Sequence, residues 1–474
     1  MKKRALLVFL FAVCCGLALP FFAQSRQLYY LLFLLIAVLT VFFLKKGEVT
    51  VYDWLVVFIF TIPFHDLRIG GQVHFLRLSE IAFIFLFIWY LAEKNKNPSI
   101  FKLPKIFFLI LAFLAVNILA ISKSLYPLIS AKRVLVLFYL IVFCYLVSDI
   151  VKEKRWIFFL VRAMIIISAL SAVLAVFQVF IPQLQFVPAS PLVNVGSVVF
   201  YRASAGWGDP NYYALYLVMN FSLSLSLIFL PGLKRKGILK TAALLQVTGV
   251  IATFSRMGFI CLLATVFYIL FRQGRVKTVL ILALVIIIAG AFILVNIEDI
   301  YEKYPIAQAY LFRQPGLARL QEYPRLILVD RWDAFRANWQ MFLENPLLGV
   351  GPFMAMYNYG KYKPDDALAY NREILDSHNQ YLQLLAEKGI FGLLTFLGFI
   401  FLVWKKLNHY FGKASRDLKA LSLGFKAALL AYLVACFAAQ ATYEVQFWLT
   451  MGLSLALINI LESYYAQSQE NSFS

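Results

Sequence analysis

The sequence predicts an all-α polytopic membrane protein, and composition, the length of its apolar runs and the placing of its charges all point there. Of 474 residues, 62% are hydrophobic and only 14% charged, more apolar area than a water-soluble surface can carry. Apolar runs of about 17 to 25 residues recur, each long enough to cross roughly 30 Å of hydrocarbon as a helix. A membrane β-barrel would show short alternating segments instead, and none occurs. The net charge of +20 sits in short basic clusters between the runs, a pattern of membrane topology and not of nucleic-acid binding.

Taken in order, the spans fall at about 5–23, 28–44, 51–64, 79–92, 104–121, 134–150, 156–181, 211–230, 238–254, 257–271, 278–296, 389–404, 421–441 and 446–461. About 12–14 transmembrane helices are therefore expected. Met1-Lys2-Lys3-Arg4 followed by an apolar run has the form of a signal peptide, but further spans follow at once, so it is expected to remain as a first span. Cys14, Cys15, Cys144, Cys261 and Cys436 all lie inside apolar runs. They are expected to be small buried hydrophobes, with no disulfide or metal framework.

Apart from the long loop 297–388 with its ten basic residues, the loops carry 24 basic residues on one side and eight on the other, which places both termini in the cytoplasm. The expected organisation is a helical bundle over 1–296, a large extracytoplasmic loop with short helices over 297–388, and C-terminal transmembrane helices with a short, loose tail over 389–474. A loop of 92 residues exceeds what a connection needs. Within it Trp332, Phe335, Trp339 and Phe342 follow one helical face, expected to pack on the membrane surface or the bundle, and Asn345-Pro346 ends that helix.

His378, one of four histidines, stands at the head of a short amphipathic helix with Asp376 or Ser377 in the capping position. A helix start favours the neutral imidazole that a general base requires, while Asp376 acts in the opposite direction. A lone histidine there is also a common surface residue. Three arginines are expected on the same side. Arg256 lies in a minimal turn, Thr253-Phe254-Ser255-Arg256. Arg202 precedes Asp209-Pro210-Asn211, which marks the next helix start, and Arg331 occupies the first turn of its helix, where backbone N–H groups favour anions. Singly, such residues commonly snorkel to headgroups. Two or three together match the oxygens of a diphosphate.

Metal and nucleotide chemistry find little support. His65, His74 and His409 are scattered, Asp365-Asp366 has the look of a solvated turn, Asp66 is a weak carboxylate candidate, and Gly349-Val350-Gly351-Pro352 lacks a phosphate-loop ending. Neither a metal nor a cofactor is expected.

His378-Asn379, nine residues, then Gly389-Ile390-Phe391-Gly392 resembles the His-Asn/Ser/Gln, spacer, Gly-x-x-Gly pattern of the O-antigen ligase and polymerase superfamily. Arg202 through Asp209-Pro210-Asn211, Ser255-Arg256, and Arg331-Trp332 leading to Asn345-Pro346-Leu347-Leu348-Gly349-Val350-Gly351 are similar to its other recurring segments. The resemblance covers about 200–461. It implies a GT-C-like, metal-independent glycosyltransferase of the bacterial plasma membrane that takes a glycan from undecaprenyl diphosphate to an acceptor hydroxyl on the outer face. By the same resemblance Arg256 and Arg331 would bind the donor diphosphate, with Arg202 a further candidate, and His378 would be the base. The acceptor would be a glycan, a lipid-linked glycan or a protein. Polymerase and protein glycosyltransferase chemistry share the motifs, and a polysaccharide or lipid transporter is the alternative without chemistry. A transporter should show two related halves with broken spans, and none is found.

Overall fold

The computed structural model describes residues 49–65, 77–96, 104–184, 191–195, 198–233, 236–295, 329–367, 372–412 and 414–473. The predicted spans at about 5–23 and 28–44, Asp66, His74 and residues 296–328 lie outside the described residues. In chain order the helices are α1 Val51–Thr61, α2 Leu78–Lys96, α3 Phe107–Ala120, α4 Pro127–Ile150, α5 Lys154–Phe180, α6 Pro210–Ile228, α7 Lys236–Ala252, α8 Arg256–Arg272, α9 Val276–Val295, α10 Val329–Glu344, α11 Ala355–Tyr362, α12 Gln380–Phe411, α13 Arg416–Ala435 and α14 Val445–Phe473. Strands β1 Pro191–Val195 and β2 Val198–Tyr201 form an antiparallel hairpin between α5 and α6.

The fold is that of an all-α polytopic membrane protein. Every predicted span within the described residues falls on a helix, because hydrocarbon leaves backbone N–H and C=O groups no partner except each other. Among the described residues, Pro127–Ile150, Lys154–Phe180, Gln380–Phe411, Arg416–Ala435 and Val445–Tyr465 are long and apolar enough to cross a bilayer, and Val51–Phe64, Phe107–Lys123 and Val276–Phe292 are shorter apolar helices. Leu128, Leu135, Phe138 and Phe401 are exposed on these helices. That placement is unfavourable in water and ordinary in lipid. The tail expected to be loose continues α14 as helix to Phe473.

The chain forms two compact units, neither continuous in sequence: residues 1–100 with 148–262, and residues 101–147 with 263–474. In the first unit, α5, α6 and α7 approach closely through small residues. A Cβ on Gly249 would stand 2.7 Å from the Ala172 Cβ, the close approach by which membrane helices gain van der Waals contact. Gln246 ties the three helices together, donating to Ser168 Oγ at 2.8 Å and accepting from Ser224 Oγ at 2.9 Å.

In the second unit, α10 buries Ala334, Ala337 and Met341 against Met354, Ala355, Tyr359, Leu375 and Ala386. Of the aromatic stripe, Trp332 and Trp339 are exposed and Phe335 and Phe342 half-buried; the most deeply buried face is the opposite one, whose small side chains allow α10 to sit close to its neighbours. The span predicted at 389–404 and the amphipathic helix before it are one helix, α12, bent at Gly389, where φ is 62° and ψ is −164°. Only glycine populates that region freely.

The bend withdraws two carbonyls from the helical ladder. Ala386 O accepts from Val350 N at 2.8 Å and Glu387 O accepts from Gly351 N at 3.0 Å, while Ile390 N donates to Pro346 O at 2.8 Å. The Asn345–Gly351 loop thus supplies the partners that the kink would otherwise lack. Gly349, at φ 64°, is pressed against the backbone of Ala386 to Lys388, and a Cβ on Gly389 would collide with the Leu347 carbonyl. Gly392 has a different task, since a Cβ there would overlap the Lys388 side chain.

Gly389→Ala is expected to destabilise the protein by more than about 3 kcal/mol, because both the dihedral and the facing backbone resist it. Gly412→Ala, with nothing within 4 Å of the added carbon, should be close to neutral. Thermal unfolding of the two variants in detergent checks this; equal midpoints would show that the crossing tolerates a side chain.

Candidate functional site

In the first unit the structure joins Arg202 to the turn that carries Arg256. Gln178 of α5 holds the chain after Arg202: its Oε1 accepts from Ser204 N at 3.2 Å and Ala205 N at 2.8 Å, and its Nε2 donates to Ala205 O at 2.9 Å. Gly206 N donates to Pro63 O at 2.9 Å, and Ala203 N to Ala252 O at 3.0 Å. The half-buried Arg202 then donates from Nε to Thr253 O at 3.0 Å and from Nη2 to Asn211 Oδ1 at 3.2 Å. The same Asn211 oxygen accepts from Ser255 Oγ at 2.8 Å.

Asn211 is in place because Asp209 caps α6, accepting from Asn211 N at 2.6 Å, with Pro210 in the first turn, as the Asp-Pro pair predicts. Phe254 takes a left-handed conformation, φ 49°, and α8 begins at Arg256, whose side chain is exposed. Two segments some fifty residues apart thereby present two arginines at one helix start. His65 is drawn in behind this loop, its ring centroid 5.2 Å from that of Trp207. Arg77 has no acceptor to offer, so His65 Nε2 is the acceptor in their contact, and Nδ1 lies 3.2 Å from Ser79 Oγ.

In the second unit the structure joins the helix of Arg331 to the segment of His378. Arg331 lies in the first turn of α10, half-buried. Asn338, seven residues on and so on the same face about 10 Å further along, accepts from Ser377 Oγ at 2.8 Å, and both partners are buried. Ser377 is consequently not the cap of α12, and neither is Asp376. Asn379 caps it, its Oδ1 accepting from Leu382 N at 3.0 Å.

His378, half-buried, has φ 48°. The next residues are laced to the break between α13 and α14. Gln380 N donates to Cys436 O at 2.8 Å, Asn379 Nδ2 to Phe437 O at 3.4 Å, Tyr381 Oη to Leu433 O at 2.6 Å, and Thr442 N to Gln380 Oε1 at 2.9 Å. For that reason α13 stops at Ala435, short of the predicted span end near 441: the unwound residues supply hydrogen bonds to the start of α12.

A row of buried polar groups runs along α12 that the spacing of the sequence does not mark. Gln380 Nε2 lies 3.4 Å from Gln383 Oε1, Gln383 Nε2 donates to Glu387 Oε1 at 3.0 Å, and Lys388 Nζ pairs with Glu387 Oε2 at 2.6 Å, with both charges 1% exposed. Burial holds the neighbouring Tyr443 phenol above its ordinary range, against the pull of Lys388 and Arg133. Arg133 stacks its guanidinium 3.7 Å from the centre of the Phe353 ring. The one signal in the sequence was the charged pair Glu387-Lys388 at the edge of an apolar run.

These features define a class: a polytopic helical membrane protein with arginines and a histidine at or beside helix starts, Arg202 and Arg256 in the first unit, Arg331 and His378 in the second. Comparison with known proteins finds a likeness over part of the chain. Residues 241–397 match the family model described as O-antigen ligase, the family to which the motifs pointed. The matched stretch holds Arg256, Arg331, His378 and Gly389, and Arg202 falls outside it. Over 181 residues the chain is 29% identical to a protein of Rickettsia conorii described as a putative polysaccharide ligase, covering 37% of this chain and 39% of that protein's length.

Truncating one member of a buried ion pair leaves an uncompensated charge. Glu387→Leu is therefore expected to cost about 3–5 kcal/mol, while Glu387→Leu combined with Lys388→Met should cost clearly less. Chemical or thermal unfolding of the single and double variants measures the difference; a double variant no better than the single one would mean that the pairing is not what matters.

Proposed function

We propose that the chain is a membrane glycosyltransferase of the O-antigen ligase type, moving a glycan from an undecaprenyl-diphosphate carrier to an acceptor hydroxyl on the outer face of the plasma membrane. The observation that carries this reading is the segment His378 to Gly392: a histidine in a left-handed backbone conformation at a helix start, followed by the Gly389 kink, inside the stretch matched by the family model. The basic-residue asymmetry of the loops supports the outer face as the side of the chemistry.

In this mechanism His378 accepts the proton of the acceptor hydroxyl as the oxygen attacks the anomeric carbon. The bond from that carbon to the diphosphate oxygen breaks, and the undecaprenyl diphosphate departs with the electron pair. Arg256 and Arg331 serve as ligands of the diphosphate, whose charge grows as it leaves, with Arg202 both a candidate ligand and a brace of the Arg256 turn. A diphosphate is already a good leaving group, so cations, a base and orientation meet the needs of the reaction. The long loop 297–388 is the region assigned to reading the acceptor. The acceptor decides between ligation, polymerisation and protein glycosylation.

The test is reconstitution of the full chain in liposomes with undecaprenyl-diphosphate-linked glycan extracted from the native membrane, offered with glycan, lipid-linked glycan or hydroxyl-bearing peptide acceptors, and read by product mass. Transfer is expected; movement of the donor across the bilayer with no new product would favour a transporter. His378→Ala should retain the fold and lose about 10²–10⁴-fold in turnover, and a variant with wild-type turnover would remove His378 from the role of base. Chelator should leave the rate unchanged, whereas a strict requirement for added divalent metal would overturn the arginine-based donor site.

A further inference from the structure

We propose that Gln440 is a positioning residue for the reaction: its side-chain oxygen fixes the backbone at His378 and so sets where the imidazole stands. This rests on His378 acting as the base. With its amide oxygen turned to the segment, Gln440 accepts from two successive backbone N–H groups, Ser377 N at 2.8 Å and His378 N at 3.2 Å. Together the two bonds hold the peptide plane between Ser377 and His378, and from that held plane His378 continues with a left-handed φ of 48°. For a residue with a Cβ this conformation costs about 1–2 kcal/mol and persists only where the surroundings hold it.

The surroundings hold it from both sides. Before the turn, Ser377 Oγ is tied to Asn338 of α10. After it, Asn379 caps α12 and Gln380 N is bound to Cys436 O. Between these anchors the N–H groups of Ser377 and His378 are the pair that Gln440 receives. Gln440 stands half-buried in the unwound stretch after α13. Its position is that of a strut against the turn. Tyr381 offers a contrast on the same seam, since its hydroxyl bonds Leu433 O at 2.6 Å and bears on the helix three residues past the turn.

The experiment compares Gln440→Met, which keeps shape but removes the acceptor, Gln440→Glu, which keeps an acceptor oxygen, and Tyr381→Phe as a seam control, all as full-length protein in liposomes with the extracted undecaprenyl-diphosphate-linked glycan. Gln440→Met is expected to lower kcat by about 10²-fold, the effect of a displacement near 1 Å, with KM for the donor little changed. Gln440→Glu should recover most of kcat. Tyr381→Phe should lower the unfolding midpoint as much as Gln440→Met does, yet leave kcat near wild type. Wild-type kcat in Gln440→Met, no recovery in Gln440→Glu, or an equal kcat loss in Tyr381→Phe would each overturn the positioning role. His378→Ala in parallel separates the two ideas: an active His378→Ala enzyme defeats the base reading, whereas an inactive one beside a fully active Gln440→Met defeats this inference alone.

Discussion

The second unit is organised by one backbone crossing, where the kink of α12 at Gly389 meets the Asn345–Gly351 loop with no side chain between them. Backbone can lie against backbone at this distance only if the residues on both sides lack a Cβ or turn it away, which is why glycine stands at 349 and 389. Once the two chains touch, the carbonyls freed by the kink have partners and the arrangement is satisfied. The crossing also sets what lies on either side. Ahead of the kink, α12 points the His378 turn at the α13–α14 break. Beyond it, Gly392 clears room for Lys388 to be buried against Glu387.

A helix start with a strained residue beside it would fray if the helix alone supported it, since the first turn has no intrahelical acceptors for its N–H groups. Here that end is clamped between α10 and the unwound residues 436–442, through Asn338, Cys436, Phe437, Gln440 and Thr442. Each neutral hydrogen bond is worth about 1 kcal/mol net, and several of them outweigh the strain of one left-handed residue. The clamp explains why the membrane span at α13 gives up its last turn: the residues that unwind are those that hold the start of α12.

The helices and their order were legible in the sequence because lipid imposes a simple rule, a long apolar run for each crossing. The Asp209-Pro210 start of α6 and the Asn345-Pro346 end of α10 were legible because cap and breaker act within a few residues. What was not legible depends on partners distant in sequence. Ser377 has the chemistry of a cap, but Asn338, 39 residues away, takes its hydroxyl, and the neighbouring Asn379 caps in its place. The aromatic stripe of α10 has the spacing of a packed face, yet the small residues opposite are buried because close approach gains more contact than bulk does. Gln440 and Gln380 bear no pattern in the sequence that marks them, since a single amide signals nothing until its neighbours are known.

The two arginine placements differ in a way that bears on how each would act. Arg202 commits its Nε and one terminal nitrogen to Thr253 and Asn211, so its position is set by the same hydrogen bonds that shape the turn before Arg256. Arg256 itself is exposed at the head of α8, where the N-terminal backbone groups add to its charge. On the proposed reading, an anion bound there would meet an arginine on a braced turn, with a reduced ordering cost. Arg331 repeats the arrangement in the other unit, at the first turn of α10, with Asn338 two turns along the same face tying that helix to Ser377. In the first unit hydrogen bonds place the cation itself, and in the second they tie the helix that carries it. A reaction that asks for orientation more than for covalent help is served by that construction.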